Sequence, residues 1–468
     1  MKALIVIALT ITSGLLAGVF RDSQLEEVIE RSFRYSPVKG LAVSVVDKTG
    51  TRVSTVLGYA NNTQPMDANS PVFIGSVSKT FTALAIIRLN DMGLVNLDDK
   101  VSKYLEGFEG KNELTINHLL HHHSGHSQEA GYDHDVEFNG AYRNIRPAMD
   151  PGIEGIYSSF NYMLLGLIIE RVTNKPYSVF MEEDVFTPLG LHQTFIPNPS
   201  QGSEMIGYCL LYGIPIKSRQ MDYGKYVIPA GYIVTTLNDL NRYALFLLSE
   251  GKVYNGSDTL QFISASSASS LFRPFGGGEY GFGKAWGVGK VNGLKTYSHE
   301  GMTKISNASI SILPDLNTVV VVISNTNSGP FFSISGELSA ALINHLSKQP
   351  PGNKIIWEYI IKVVIGLGLL KVFFDVFYKT LKWIRQGKPY RPRLRIRRIP
   401  AYISEMMPLL VLFGLPYVIH VPISMLLRIM PDLGYAILIS GVLSIALVFF
   451  KLVEVETIAE SETKNHHS

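Results

Sequence analysis

Cysteine is nearly missing from this chain of 468 residues. Cys209 stands alone, so no intrachain disulfide can form, and a cysteine-based zinc or iron–sulfur site is excluded. Charge is also scarce: Asp, Glu, Lys and Arg make up 17% of the residues, against about a quarter in ordinary globular proteins. With a mean hydropathy of +0.16, that excludes a solvated, disordered chain and points to apolar residues that face lipid. The net charge of +3 is too small to imply nucleic-acid binding unless it is concentrated in one place. Two catalytic signatures are absent. Without G-x-S-x-G there is no nucleophile elbow of the α/β-hydrolase kind. Without H-E-x-x-H there is no helix-borne zinc protease motif.

What is present begins with apolar ends. Met1-Lys2 precedes an uncharged run from Ala3 to Phe20, with small residues at Ala17-Gly18. This pattern reads as a secretory signal peptide over residues 1–20, or alternatively as an uncleaved anchor helix. Either way, the domain that follows is exported. At Pro350-Pro351-Gly352 the composition changes, and three apolar stretches follow at 355–378, 406–427 and 433–450. They predict a membrane region over 351–468 with three transmembrane helices. An amphipathic surface helix is the alternative for the first, which carries Lys362, Lys371 and Asp375. Residues 379–400 hold nine Lys and Arg and no acid. Short loops this basic stay cytoplasmic and face anionic lipid headgroups. The expected topology is multi-pass in the cell membrane, with the large domain extracellular. Without those nine charges the chain has 33 basic against 39 acidic residues, so the basic balance reports one loop and not a substrate.

Residues 21–350 form one block with no internal repeat and no low-complexity linker. Leu41 to Val46 reads as a buried strand, with Thr51 to Tyr59 as its hairpin partner. Ser309–Leu313 and Thr318–Ser324 form a second pair near the end of the block. Between them the pattern is mostly helical, at Val77–Asn90, Ile116–His121, Asn161–Thr173 and Thr236–Ser249. Strands at both ends with helices between predict one α+β domain whose ends share a sheet.

Three motifs carry chemistry. Ser76-Val77-Ser78-Lys79 is one of four S-x-x-K matches, and only this one follows a strand-like segment and a glycine to open an apolar helix. Lys79 then lies one turn from Ser76. A serine hydroxyl needs a base or a positive field, and a partly buried lysine of lowered pKa can share that role. Tyr157-Ser158-Ser159 precedes the helix from Asn161, where a tyrosine could reach a catalytic lysine. His299-Glu300-Gly301-Met302 precedes the last strand pair. Gly301 would admit a substrate backbone, and the N–H groups of Met302 and Ser76 could form an oxyanion hole. A further cluster comprises His118, His121, His122, His123, His126 and His134. Within it, His118 and His122 are spaced for one helix face, as zinc would require.

Taken together, the three motifs resemble the serine β-lactamase and penicillin-binding protein superfamily in its class C-like branch, over residues 22–345. Leu119-Leu120-His121-His122-His123-Ser124-Gly125, Thr187 to Leu191 and Pro229-Ala230-Gly231 look like family segments too, and the first of these accounts for His123. The resemblance implies a β-lactamase/transpeptidase-like fold, an antiparallel sheet with helices plus an all-helical subdomain. It implies Ser76 as the acylated nucleophile, with Lys79 and Tyr157 sharing proton transfer. Ser159, His299, Gly301 and Met302 would contact substrate, with no cofactor and no metal. Ser159 stands where the family usually has Asn, and His299 where many members have the Lys of Lys-Thr-Gly. Both changes tell against efficient β-lactam hydrolysis more than against acylation. The implied activity is hydrolysis of D-amino-acid peptides or related amides and esters, of the D-Ala-D-Ala carboxypeptidase type, with cell-wall peptide as the natural partner. A β-lactamase or carboxylesterase on the same fold, and a non-catalytic penicillin-binding sensor, are the alternatives.

Overall fold

The computed structural model describes residues 23–108, 113–128, 130, 142–198, 205–211, 213–219, 223–255, 258–327, 333–350 and 354–386, with scattered helical residues between 434 and 446. The described residues fall into two compact units. The larger draws on the described residues of 23–209, 217–327 and 333–355, and the smaller on those of 210–216 and of the segment from 356. The predicted signal peptide and the second apolar stretch lie outside the described residues.

The larger unit opens with helix α1 (Ser23–Arg34) and the hairpin of β1 (Gly40–Asp47) and β2 (Gly50–Gly58). Next come the short β3 (Val72–Phe73), α2 (Ser78–Asp91), α3 (Ile116–Leu120) and α4 (Ser159–Thr173). β4 (Val234–Thr235) leads into α5 (Leu237–Leu248), whose Thr236 cap accepts the Asp239 N–H. The chain then returns as β5 (Gly281–Phe282), β6 (Gly287–Val291), β7 (Leu294–Met302), β8 (Asn307–Leu313) and β9 (Thr318–Ser324), and closes on α6 (Ile334–Leu346).

One seven-stranded sheet organises this unit, in the order β2-β1-β9-β8-β7-β6-β5. Every neighbouring pair in it is antiparallel. β1 pairs with β9 from Leu41↔Ser324 to Asp47↔Thr318, so the two ends of the domain share one sheet, as the sequence predicts. Both strands read as continuous apolar runs because both faces of the sheet are covered. Ala42, Val46, Val319, Val321 and Ile323 join the larger core. Leu41, Val43, Val45, Val320 and Val322 join a second core with Leu25 and Ile29 of α1 and Leu338 and Leu342 of α6.

Helix α2 belongs to the larger core. Its residues from Ser78 to Ile87 are all buried, including Lys79, Thr80 and Thr82. A helix buried on every side has no solvent face for polar groups, so each needs an internal partner. Thr80 donates to the Val77 carbonyl, and Thr82 donates to the Pro229 carbonyl at 2.7 Å.

The first C-terminal apolar stretch forms helix α7 (Lys354–Gln386). Among the described residues no helix is long and apolar enough to cross a membrane. The charges already noted at Lys362, Lys371 and Asp375 interrupt α7. The third stretch is described at only a few helical residues.

Candidate active site

The turn that carries Ser76 is built by a short strand and a glycine. β3 pairs with β4 through Val72↔Thr235 and Phe73↔Val234. The Ile74 N–H then donates to the Ile233 carbonyl at 3.1 Å. Gly75 has φ of +52°, a region that favours glycine, and starts a 3₁₀ turn over Gly75–Val77. α2 begins only at Ser78. Ser76 therefore lies in a tight turn just before the helix and not on its first turn, as expected from the motif. It is half-buried, whereas its neighbours Gly75 and Val77 are buried.

β7 presses directly on this turn. A Cβ added to Gly301 would fall 1.9 Å from the Ile74 oxygen and 2.7 Å from the Ser76 nitrogen. A Cβ on Gly75 would fall 2.3 Å from the Met302 nitrogen. The close approach expected for a substrate at Gly301 is thus occupied by the chain's own backbone. Its effect is to bring the N–H groups of Ser76 and Met302 into one neighbourhood, the arrangement an oxyanion hole requires.

Lys79 is fully buried, and its Nζ donates to Ser76 Oγ at 3.1 Å and to the Ala230 carbonyl at 2.5 Å. The ring centroids of Tyr157 and Tyr162 lie 5.0 and 5.9 Å from Nζ. Among the described residues no carboxylate pairs with the ammonium, and burial lowers its pKa to about 7. At neutral pH a large fraction of Lys79 is therefore a free amine within hydrogen-bond reach of the serine hydroxyl.

Tyr157 precedes the cap of α4, and Ser159 is the first residue of that helix. Ser159 makes no hydrogen bond to Lys79. The residue that organises this corner is His122. It lies beyond the end of α3 with φ of +61°, and it is 1% exposed. Its Nδ1 accepts the Ser158 N–H at 3.1 Å, and its ring centroid lies 4.5 Å from that of Tyr157.

His299 is 9% exposed, and its Nδ1 donates to the Ala285 carbonyl at 2.5 Å. Burial, reinforced by Lys79, lowers its pKa to about 3, so the ring is neutral at physiological pH. A histidine at its ordinary pKa would be partly charged at neutral pH, and this one is not. A cavity of about 190 Å³ opens between these groups, walled by His122, Tyr157, Phe282, Trp286, Ser298 and His299.

The remaining histidines do not form one site. His118 caps its own helix, with Nδ1 accepting the Thr115 N–H at 3.1 Å, and His122 has left the helix altogether. The zinc spacing expected of that pair fails because α3 ends at Leu120. His123 stacks on Phe275 at 4.3 Å, and His121 hydrogen-bonds the Asn117 carbonyl. His126 is buried beside Ser124, and His134 lies outside the described residues. Among the described residues no three His, Cys, Asp or Glu side chains are placed to hold a metal.

Sequence reasoning found Ser76, Lys79, Tyr157 and His299. It missed His122, Ala230 and Ala285. His122 sat in a segment already singled out, but His123 was the histidine assigned to it. Pro229-Ala230-Gly231 was noted without the carbonyl that holds Lys79.

A serine in a tight turn, a buried lysine of lowered pKa on its hydroxyl and an antiparallel strand beside it make a constellation suited to serine acyl transfer on an α+β scaffold. The chain belongs to the β-lactamase family, whose model matches residues 29–344, and it is a serine hydrolase of the β-lactamase and penicillin-binding protein kind. It is similar to Protein flp of Staphylococcus aureus (strain MRSA252), at 26% identity over 423 residues, covering 85% of this chain and 83% of that protein. Penicillin-binding protein 4* of Bacillus subtilis (strain 168) is 30% identical over 260 residues, 48% of this chain and 55% of that protein. Among solved structures, an octameric penicillin-binding protein homologue from Pyrococcus abyssi superposes with a TM-score of 0.59 at 21% identity, covering 75% of this chain and 81% of that one. A class C β-lactamase gives a TM-score of 0.58 at 20% identity, covering 69% and 96%.

Proposed function

We propose that the chain is an extracytoplasmic serine hydrolase that acts through an acyl-enzyme on D-amino-acid peptides or related amides and esters. The observation that carries this reading is the 3.1 Å contact between Lys79 Nζ and Ser76 Oγ, with the lysine held near neutrality by burial. Unprotonated Lys79 takes the hydroxyl proton as Ser76 Oγ attacks the scissile carbonyl. The N–H groups of Ser76 and Met302 receive the developing oxyanion. Tyr157, beside the lysine, passes the proton to the leaving amine or alcohol. Water then attacks the ester carbonyl and gives its proton back through the same pair, releasing the acid and Ser76. Oxyanion donors of this kind contribute about 10²–10³ in rate, and positioned proton transfer about 10²–10⁴.

Support for cell-wall peptide as the substrate comes from the similarity to Penicillin-binding protein 4* and to the structure of a D-alanine carboxypeptidase from Burkholderia cenocepacia. We further propose that the region after residue 350 holds the enzyme at a bilayer, with residues 21–350 outside. Helix α7 exposes Trp357, Leu367, Leu370, Phe373 and Phe374, and the nine basic residues of 379–400 suit anionic headgroups. The alignment with Protein flp also spans more of the chain than residues 21–350 could supply.

Mass spectrometry after exposure to fluorescent penicillin and to a fluorophosphonate tests the reaction. One adduct is expected, on the peptide containing Ser76, and none in Ser76→Ala. An unlabelled wild-type protein, or equal labelling of Ser76→Ala, would sink the reading.

A further inference from the structure

A second cavity, a groove of about 660 Å³, lies away from Ser76 in the same unit. Its floor is the outer face of α5 from Asn238 to Leu245, and its sides are the segment 189–193, Thr51 of β2 and the strand Lys252–Asn255. The register of the sheet gives the separation. Met302, beside the Ser76 turn, pairs with Asn307, Asn307 with Ser324, and Ser324 with Leu41. Thr51 pairs with Val46, further along β1. From Leu41 to Val46 is roughly 17 Å along the strands, and from β1 to β7 is roughly 14 Å across them. No catalytic group described lines the groove.

Its volume falls within the roughly 300–1,000 Å³ of small-molecule sites, most of which have apolar walls. This one is polar. Four carboxamides line it, those of Asn69, Gln193, Asn238 and Asn241. Two of them have their acceptor oxygen engaged within the protein. Ser44 Oγ, fully buried on β1, donates to Asn241 Oδ1, and Asn238 Nδ2 donates to Asn69 Oδ1 at 2.6 Å. Their Nδ2 groups are left as donors, beside the guanidinium of Arg242 and the ammonium of Lys252. Arg242 lies over Gly190, where an added Cβ would fall 2.9 Å from Nη1. Neither cation forms an ion pair among the described residues. The one carboxylate in the wall is Asp239, 6% exposed, whose Oδ2 already accepts the Gln193 N–H and Thr194 Oγ, both at 2.8 Å. The groove thus offers donors and two cations, and its own acid is engaged elsewhere. Tyr254, 61% exposed, borders it with an aromatic face.

We propose that this groove binds an acidic saccharide, a short run of sugar rings that carries carboxylates. Arg242 and Lys252 meet the carboxylates. The carboxamides meet ring hydroxyls, which both donate and accept as they do. Tyr254 covers the apolar C–H face of a ring. An apolar ligand would strip the carboxamides of water and leave them unpaired. A bare inorganic anion would use the cations and leave the aromatic face idle. The inference does not draw on the acyl-transfer chemistry. It adds a second point of attachment, far enough from Ser76 that a polymer held in the groove leaves the serine open. Holding a polymer at one site raises the effective concentration of its other parts at the second.

The test is calorimetric titration of the full-length protein with tetragalacturonate, maltotetraose and tripolyphosphate. Tetragalacturonate is expected to bind at least about tenfold more tightly than either of the others. The Arg242→Gln/Lys252→Gln protein should bind it at least about tenfold more weakly, since two charge-assisted contacts are lost. Tyr254→Ser should weaken it as well. Both variants change surface side chains, and urea midpoints equal to the wild type's establish that they fold. Failure of tetragalacturonate to bind would overturn the proposal, as would maltotetraose or tripolyphosphate binding as tightly. Undiminished binding by either folded variant would overturn it too. Loss of Ser76 labelling bears on the acyl-transfer reading alone.

Discussion

At the scale of single residues, Lys79 sets the pH behaviour. Its amine is the base, so kcat/KM is expected to rise with pH through about 7 and level off above it. A profile flat from pH 5 to 9 would remove Lys79 from the proton path. The same burial links to stability. The folded pKa of about 7 lies below the ordinary lysine value, so between roughly pH 7 and 10.5 the unfolded chain binds the extra proton. Stability from this group therefore rises with pH across that window, by at most about 1.4 kcal/mol per pH unit. Urea titrations of wild type and Lys79→Met should show a gap that favours the variant most at low pH and narrows as pH rises. Ser76 and Lys79 were legible in the sequence because three residues on one turn are neighbours whatever the fold does. Ala230 lies 151 residues from Lys79, and His122 Nδ1 takes its hydrogen bond from the N–H of Ser158, 36 residues away. No local pattern encodes those meetings, because the sheet and the helical layer must assemble before either group has its partner.

At the scale of elements, the legible features were those with a period. The apolar runs of β1 and β9 marked buried strands, and the two ends of the domain share one sheet as expected. The helix lies at Ser78–Asp91 against the expected Val77–Asn90, and Ser76, expected to open it, sits in a 3₁₀ turn of similar spacing. The crossing of that turn with β7 makes a sharp prediction. Gly301→Ala puts a methyl group 1.9 Å from the Ile74 oxygen, against backbone that has little freedom to yield. A loss of about 1–3 kcal/mol in stability is expected, as for other overpacked sites. Acylation of Ser76 should fall with it, because the oxyanion donors separate. A folded Gly301→Ala protein that acylates at the wild-type rate would mean β7 does not set that geometry. Within α2, Leu84 is fully buried, and Leu84→Ala should cost about 2–5 kcal/mol by denaturant unfolding.

At the scale of the whole molecule, composition misleads if it is averaged. The hydropathy and the positive balance come largely from residues after 350, whereas the sheet, both cores and every group of the site lie before that point. The family model ends at residue 344, within α6, whose Leu338 and Leu342 seal the second core. Every catalytic group described comes from residues before 351. A chain ending at Pro350 keeps every catalytic group described, and it should acylate Ser76 within about twofold of the full-length rate. It should also leave the membrane fraction on carbonate extraction, while the full-length chain stays. Reversing the nine basic charges of 379–400 to glutamate should weaken retention in anionic vesicles and leave acylation unchanged. A full-length protein found soluble would contradict the proposed anchoring without touching the chemistry. A truncated protein that folds but loses labelling would show that the C-terminal region belongs to the active enzyme and not only to its address.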